Sequence, residues 1–363
     1  MKKMGKLNEK WTLIAGGVVV GLIGIVLSLM GNPANMAICV ACFLRDISGA
    51  IGFHQAAAVQ YIRPEVIGII LGALIISVAN KEFAPKGGSS PLIRFVFGIC
   101  VMIGALVFLG CPMRMILRMA GGDLTALVGL VGFAAGIISG IVFLNKGFSL
   151  KRAYDQTIVE GAVMPMINVL LLIAVIAAPA FIFFSETGPG AARAPILISL
   201  MAGLIAGAVS QRSRLCFVGG IRDVVMFREF RMLVPFLIIL GIMMVGNIIT
   251  GQFNFGFVDQ PISHNEWLWN IMGLYIVGLG SVLLGGCPFR QLVLAGSGNT
   301  DAGITVLGLM TGAAISHNFG LASSGAGTTI AGQFAVWICI AVIFGIALFS
   351  IRNSIGNSIG NLT

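Results

Sequence analysis

The chain has 363 residues, of which 58% are hydrophobic and 10% charged, with 50 glycines and a mean hydropathy of +1.02. That composition excludes a water-soluble domain of this size, and apolar runs of about 20 residues exclude a transmembrane barrel, whose strands alternate over about 10 residues. The fold class expected is therefore an all-α polytopic membrane protein, and the formal charge of +9 lies in short loops that set orientation, so no nucleic-acid partner is expected.

The first apolar run, residues 11–30, follows Lys2, Lys3, Lys6 and Lys10. It is long for a signal peptide and no Ala-x-Ala site follows it, so it reads as the first span. Gly31-Asn32-Pro33-Ala34-Asn35 then breaks the helix, and the stretch through Cys39, Cys42, Arg45 and Asp46 is too polar for an ordinary span. It reads as re-entrant, with a helix restarting at Asn35. Further apolar segments cover 63–80, 91–109, 124–144, 161–184, 194–210, 232–250, 267–285, 303–320 and 331–351, which makes about ten spans. The linker from Lys146 to Glu160 is expected to lie on the cytoplasmic surface as a helix. With the amino terminus in the cytoplasm, only Arg45, Arg63, Arg114, Arg118 and Arg193 fall outside, leaving 17 of the 22 basic residues inside. This asymmetry places both termini in the cytoplasm.

The chain repeats itself. Gly110-Cys111-Pro112-Met113-Arg114 returns 176 residues later as Gly286-Cys287-Pro288-Phe289-Arg290. Cys39 stands six residues before Arg45-Asp46, as Cys216 stands six before Arg222-Asp223, and Gly132 and Gly136 recur as Gly308 and Gly312. The chain thus reads as a single transmembrane domain, 1–363, with a first half at 11–144, a connector with one extra span at 145–193, a second half at 194–320, and a final span and tail at 321–363. Five spans separate equivalent positions, and an odd number inverts the second copy. Two inverted repeats with re-entrant or broken helices place a site where the breaks meet at the membrane centre.

Proline can start a helix but not continue one, so each Gly-Cys-Pro reads as the start of a short second helix. Cys111 and Cys287 then sit at helix starts, where backbone N–H groups and the positive dipole end favour a thiolate or an anion. Desolvation opposes ionisation, so neutral S–H donors are expected there. Cys39 and Cys216 are related by the same repeat. Cys100 and Cys339, in mid-run, read as apolar filler. Cys39 and Cys42 also match Cys-x-x-Cys, which leaves a reversible disulfide open. The second half has Gly219 in place of a second cysteine, and His54, His264 and His317 are scattered, so no metal is expected. Arg45-Asp46 and Arg222-Asp223 read either as surface charges or as locks on the re-entrant segments. Arg114 and Arg290 either attract an anion or set orientation. Asp123 and Asp301 read first as helix caps. Without a Gly-x-x-x-x-Gly-Lys loop there is no sign of a nucleotide, and no cofactor is expected.

Together, Gly-Asn-Pro-Ala-Asn-Met ahead of Cys39-Val-Ala-Cys42-Phe-Leu-Arg45-Asp46, the two Gly-Cys-Pro-x-Arg stretches, and Ser210-Gln-Arg-Ser-Arg-Leu-Cys216 with Arg222-Asp223 resemble the YeeE/YedE family of sulfur-compound transporters. The resemblance spans nearly the whole chain and is nearest the YedE-like branch, associated with selenium metabolism. It implies an inner-membrane protein in which short helical segments pinch the centre and the substrate's chalcogen passes between thiols by S–H hydrogen bonds. Cys39, Cys111 and Cys287 match the family's essential cysteines, and Cys42 departs from the minimal pattern. A cytoplasmic TusA-like sulfur or selenium carrier is an implied partner.

The function expected is transport of a small selenium- or sulfur-containing anion past Cys39, Cys111, Cys287, Cys216 and Cys42. Arg45, Arg114, Arg222 and Arg290 supply supporting charge, and membrane lipid surrounds the chain. Thiols suit a soft chalcogen and arginines suit an anion. The alternative is a membrane thiol–disulfide oxidoreductase that cycles Cys39 and Cys42.

Overall fold

The structure, a computed structural model, describes residues 6–360. In chain order its elements are α1 (Lys6–Leu29), α2 (Val40–Ala50), α3 (Pro64–Ala79), β1 (Lys86–Gly87), α4 (Pro91–Phe108), α5 (Pro112–Ala120), α6 (Leu124–Asn145), β2 (Tyr154–Asp155), α7 (Ile158–Ala177), α8 (Ile196–Ser213), α9 (Phe217–Phe227), α10 (Val234–Ile249), α11 (Trp267–Leu283), α12 (Pro288–Gly296), α13 (Thr300–Asn318) and α14 (Ile330–Gly360). The protein is all-α and polytopic. Each of the ten apolar segments read from the sequence becomes one long helix, and four short helices, α2, α5, α9 and α12, lie between them. Among the described residues, eight stretches are long and apolar enough to cross a membrane. Helix α10, with 16 residues, is shorter, and α13 carries Asp301 and His317. Lys2 and Lys3 lie outside the described residues.

Three local expectations need correction. The linker 146–157 is not a helix: Tyr154–Asp155 pairs antiparallel with Lys86–Gly87, because a distant loop offers its backbone a ladder that a local reading cannot see. Helix α7 stops at Ala177, not near 184, since Ala178 turns left-handed (φ 43°) and Pro179 follows. The helix after the first break starts at Val40, not Asn35; Asn35 itself is left-handed (φ 57°), and residues 31–39 are irregular.

The glycines decide the packing. Gly132 and Gly136 press α6 onto the backbone of α11, and a Cβ there would lie 2.0 Å from Ile271 O and 2.1 Å from Tyr275 O. Their repeats do the same elsewhere: Gly308 and Gly312 press α13 onto α4, with Cβ positions 2.3 Å from Phe95 O and 2.8 Å from Ile99 O. Small residues allow such close approach, which lipid alone would not drive. The main helix pairs are reciprocal. Helix α3 packs on α8 and α1 on α10, the short α12 packs on α3 and the short α5 on α10, and α4 meets α11. Exchanging α1–α6 for α8–α13 maps each of these pairs onto its counterpart. Helices α7 and α14 flank this arrangement, on α3 and α4 respectively.

Loops also cross between the halves. At the turn between α5 and α6, Asn254 N–H donates to Gly121 O (2.9 Å), Gly256 N–H to Gly122 O (3.1 Å), and Leu124 N–H to Gly256 O (3.0 Å). At the turn between α12 and α13, Ala84 N–H donates to Ser297 O (3.1 Å) and Lys86 N–H to Gly298 O (3.4 Å). These bonds satisfy irregular backbone that lipid would leave unpaired.

Candidate functional site

Each of the four short helices begins at a cysteine. Cys39, Cys111, Cys216 and Cys287 are the extended N-cap residues of α2, α5, α9 and α12, and Pro112 and Pro288 are the first helical residues of α5 and α12. The helices match in length across the repeat, 11 residues for α2 and α9 and 9 for α5 and α12. The glycine of each Gly-Cys-Pro has a steric purpose. The arginine four residues later folds back over it, and a Cβ would lie 2.8 Å from Arg114 Cδ at Gly110 and 2.9 Å from Arg290 Cγ at Gly286. Gly-Cys-Pro-x-Arg is thus a unit that points a thiol and a guanidinium to one place.

The thiols gather in two groups, one per half. Cys39 Sγ lies 2.8 Å from Cys42 Sγ and 3.9 Å from Cys111 Sγ, and Cys42 N–H donates to Cys39 Sγ at 3.4 Å. All three are buried, and all seven cysteines of the chain are free thiols. Cys216 and Cys287 are hydrogen-bonded to each other and buried. Cys287 therefore joins Cys216 rather than Cys39 and Cys111. Cys100 and Cys339 also pair, across α4 and α14, away from any helix break.

The four arginines named from the sequence divide by partner. Arg45 and Asp46 are not surface charges. Asp46 is fully buried and accepts Arg45 Nε (2.9 Å) and Nη2 (2.7 Å) on one oxygen and Arg63 Nε (2.8 Å) on the other. Arg63 then donates to Pro189 O and Ala192 O, so this triad locks α2 to α3 and to the segment before α8. Arg222 and Asp223 pair at 2.9 Å but stay partly open to solvent. Arg118, buried, pairs with Asp123 at 2.7 Å, bonds Thr125 Oγ1 and stacks over Phe108 at 4.2 Å. Asp123 caps α6 through Thr125 N–H, as expected. Asp301 does not cap α13, because Asn299 does; Asp301 instead accepts from Ser89 and faces Arg94 at 3.5 Å.

Arg114 and Arg290 differ from these. Neither forms an ion pair with a carboxylate among the described residues. Arg114 is fully buried, with Nη1 3.8 Å from Cys42 Sγ, and is held otherwise by carbonyl oxygens: Asn35 O (3.2 Å), Leu109 O, Pro261 O (3.4 Å) and Ile262 O (3.0 Å). Arg290 is half-buried, lies within electrostatic reach of Cys216 and Cys287, and has no partner for Nη1. A buried cation without a counter-ion is costly, so each thiol group sits beside positive charge that an anion would balance. Among the described residues no cluster of three or more His, Cys, Asp and Glu side chains could hold a metal ion.

Sequence reasoning missed Arg63, which it counted only as an outer charge, and Glu65. Glu65 is buried, accepts Asn32 Nδ2 (2.8 Å) and Ser199 Oγ (3.0 Å) on one oxygen, and leaves the other unpartnered. The signal was present as two charged residues flanking Pro64 at the head of an apolar run, but their partners come from distant segments.

Residues 212–353 match the model of a family described as "Sulphur transport". Over 170 residues, 44% of this chain, the sequence is 31% identical to the thiosulfate transporter TsuA of Escherichia coli (strain K12). Over 143 residues, 39% of this chain, it is 29% identical to the thiosulfate transporter TsuA of Spirochaeta thermophila. These matches cover 48% and 39% of the relatives' own lengths, less than two thirds of either. Both relatives are named as transporters, and neither name supports the oxidoreductase alternative. Over the part of the chain that they match, the family model and the two relatives bear out the resemblance read from the sequence, that to the YeeE/YedE family of sulfur-compound transporters.

Proposed function

We propose that the protein moves a small sulfur- or selenium-containing anion across the cell inner membrane, along a path lined by Cys39, Cys42 and Cys111 in one half and by Cys216 and Cys287 in the other. The observation that carries this reading is the pairing of each thiol group with an arginine that lacks a carboxylate, Arg114 and Arg290. A soft thiol edge beside a guanidinium with no carboxylate partner suits a soft chalcogen that belongs to an anion, and thiosulfate, named for both relatives, fits that description. Selenium species fit it equally well, by the nearness of the sequence to the YedE-like branch.

The two halves, 11–144 and 194–320, act in this reading as inverted repeats, joined by a connector at 145–193 and followed by a final span and tail at 321–363. Ten spans then place both termini in the cytoplasm. The orientation gains support from the burial of Arg45, Arg63, Arg114 and Arg118, which removes them from the outer loops and leaves Arg193 as the exposed one of that set. Arg45 serves to hold the first re-entrant segment in place, whereas Arg222 is open enough to meet an anion or an acidic surface. A TusA-like carrier on the cytoplasmic face would receive the chalcogen.

The test is uptake of labelled thiosulfate, selenite and selenide into vesicles that contain the protein. The reading requires saturable uptake of at least one of them, lowered by Cys39→Ser, Cys111→Ser and Cys287→Ser. Undiminished uptake in all three variants rejects the thiol path.

A further inference from the structure

The segment between α10 and α11 belongs to the second half yet lies over the thiols of the first. Its beginning is fixed by Asn254 and Gly256 on the turn between α5 and α6. Its end is fixed where His264 Nε2 meets Val107 O at 2.8 Å. Between these anchors, Arg114 Nη2 donates to Pro261 O and Ile262 O, and a long contact joins Ser263 Oγ to Thr125 Oγ1 (3.5 Å). The backbone held there is strained. Ile262 has φ 51° and Asp259 φ 56°, and a β-branched residue adopts the left-handed region only when its surroundings impose it.

A guanidinium has five N–H donors. In Arg114 all are engaged: Nε with Asn35 O, Nη1 with Leu109 O and Cys42 Sγ, and Nη2 with Pro261 O and Ile262 O. An anion arriving at the Cys39, Cys42 and Cys111 thiols cannot bind this arginine without displacing something. The nitrogen that borders Cys42 and the nitrogen that holds the strap are neighbours on one edge, the edge that grips a bidentate oxyanion. An anion adds opposite charge where a neutral carbonyl offers only a dipole, so the anion wins the exchange. The second half has no such closure, since Arg290 is half-buried with Nη1 free.

We propose that residues 257–263 form a substrate-released strap. Arg114 holds it closed over the first thiol group until an anion takes the guanidinium, and the strap then lifts and Ile262 relaxes. This rests on the transport reading and adds to it a gate worked by the substrate itself, on one side of the path.

The experiment is hydrogen–deuterium exchange on the full-length protein in nanodiscs, with and without thiosulfate, while thiosulfate binding is followed separately by calorimetry. Exchange at the buried Gln260 and Ser263 should rise several-fold when thiosulfate binds, with the hydrogen-bonded amides of Asn254 and Gly256 unchanged. Ile262→Gly removes the strain but keeps the carbonyl, so the strap should stay closed more firmly and thiosulfate should bind about tenfold more weakly. In Arg114→Lys, which keeps the charge but loses the fork, the strap should exchange fast from the start and thiosulfate should add nothing. Thiosulfate binding with no rise across 257–263, or with an equal rise in Ile262→Gly at unchanged affinity, overturns the strap and leaves the transport reading intact. Absence of thiosulfate binding overturns a thiosulfate path and the strap with it.

Discussion

The duplicated Arg-Asp pairs should differ sharply in what they contribute to stability. Asp46→Asn keeps the shape of the side chain but removes its charge, and it leaves Arg45 and Arg63 facing an amide that accepts on one atom and donates on the other. Asp46 and Arg63 are fully buried and Arg45 is 4% exposed, and the carboxylate takes three guanidinium bonds of 2.7–2.9 Å. Arg63 keeps only the carbonyls of Pro189 and Ala192 and the rings of Phe43 and Tyr61. Breaking a buried pair by removing one partner typically costs about 3–5 kcal/mol. Asp223→Asn removes the same bond from a pair whose arginine is 39% exposed, and solvent screening holds that loss below about 1 kcal/mol. Thermal and denaturant unfolding in detergent micelles, read side by side for the two variants, measures both. Equal losses, or a larger loss for Asp223→Asn, would refute the argument that burial rather than sequence position sets the worth of these pairs.

Gly286→Ala should cut uptake several-fold and also lower the unfolding midpoint, because its new methyl group meets Cγ and Cβ of Arg290 and turns the guanidinium away; normal uptake would count against a role for Arg290. Gly132→Ala meets the backbone at Ile271 O instead, so α6 must back away from α11 at a cost of about 1–3 kcal/mol, seen as a lower unfolding midpoint. Cys42→Ser should weaken uptake equally with and without external reductant if Cys42 only widens the soft site, whereas a reductant response present in the parent chain and lost in the variant would mean a cycling Cys39–Cys42 disulfide. Cysteines introduced at the exposed Glu229 and Asp259 should react with an impermeant maleimide from opposite sides of the membrane, against a background of buried native thiols. Labelling from one side would break the inverted arrangement.

Local chemistry was the legible part of this chain. A glycine, a proline and an arginine around a cysteine specify a helix start from steric rules alone, and α5 and α12 begin where those rules put them. Ten apolar runs became ten long helices because length and hydropathy need no knowledge of neighbours. What escaped was decided by contacts between distant segments. Arg45 reads either as a surface charge or as a lock until Arg63 and the carbonyls of Pro189 and Ala192 decide for the lock around Asp46. Asp301 reads as a cap until Ser89 and Arg94 come from the other half to claim it, which leaves the cap to Asn299. Residues 146–160 read as a helix on the membrane surface until β1 pairs with Tyr154–Asp155. The repeat announced four equivalent cysteines, but their sorting into two groups depends on how α2 meets α5 and α9 meets α12, which spacing does not encode.

The loops that cross between halves bear on how the chain is made. When α5 and α6 have entered the membrane, the backbone of Gly121, Gly122 and Leu124 still lacks the partners that Asn254 and Gly256 will bring, so the first half waits, incompletely bonded, for sequence the ribosome has not reached. The second half has no such delay, because Ala84 and Lys86 are already present when Ser297 and Gly298 emerge. Assembly is therefore ordered in time even though the finished packing is reciprocal. A first half expressed alone should linger as a species open at the α5–α6 turn and be cleared by membrane proteases, and supplying the second half as a separate chain should rescue it.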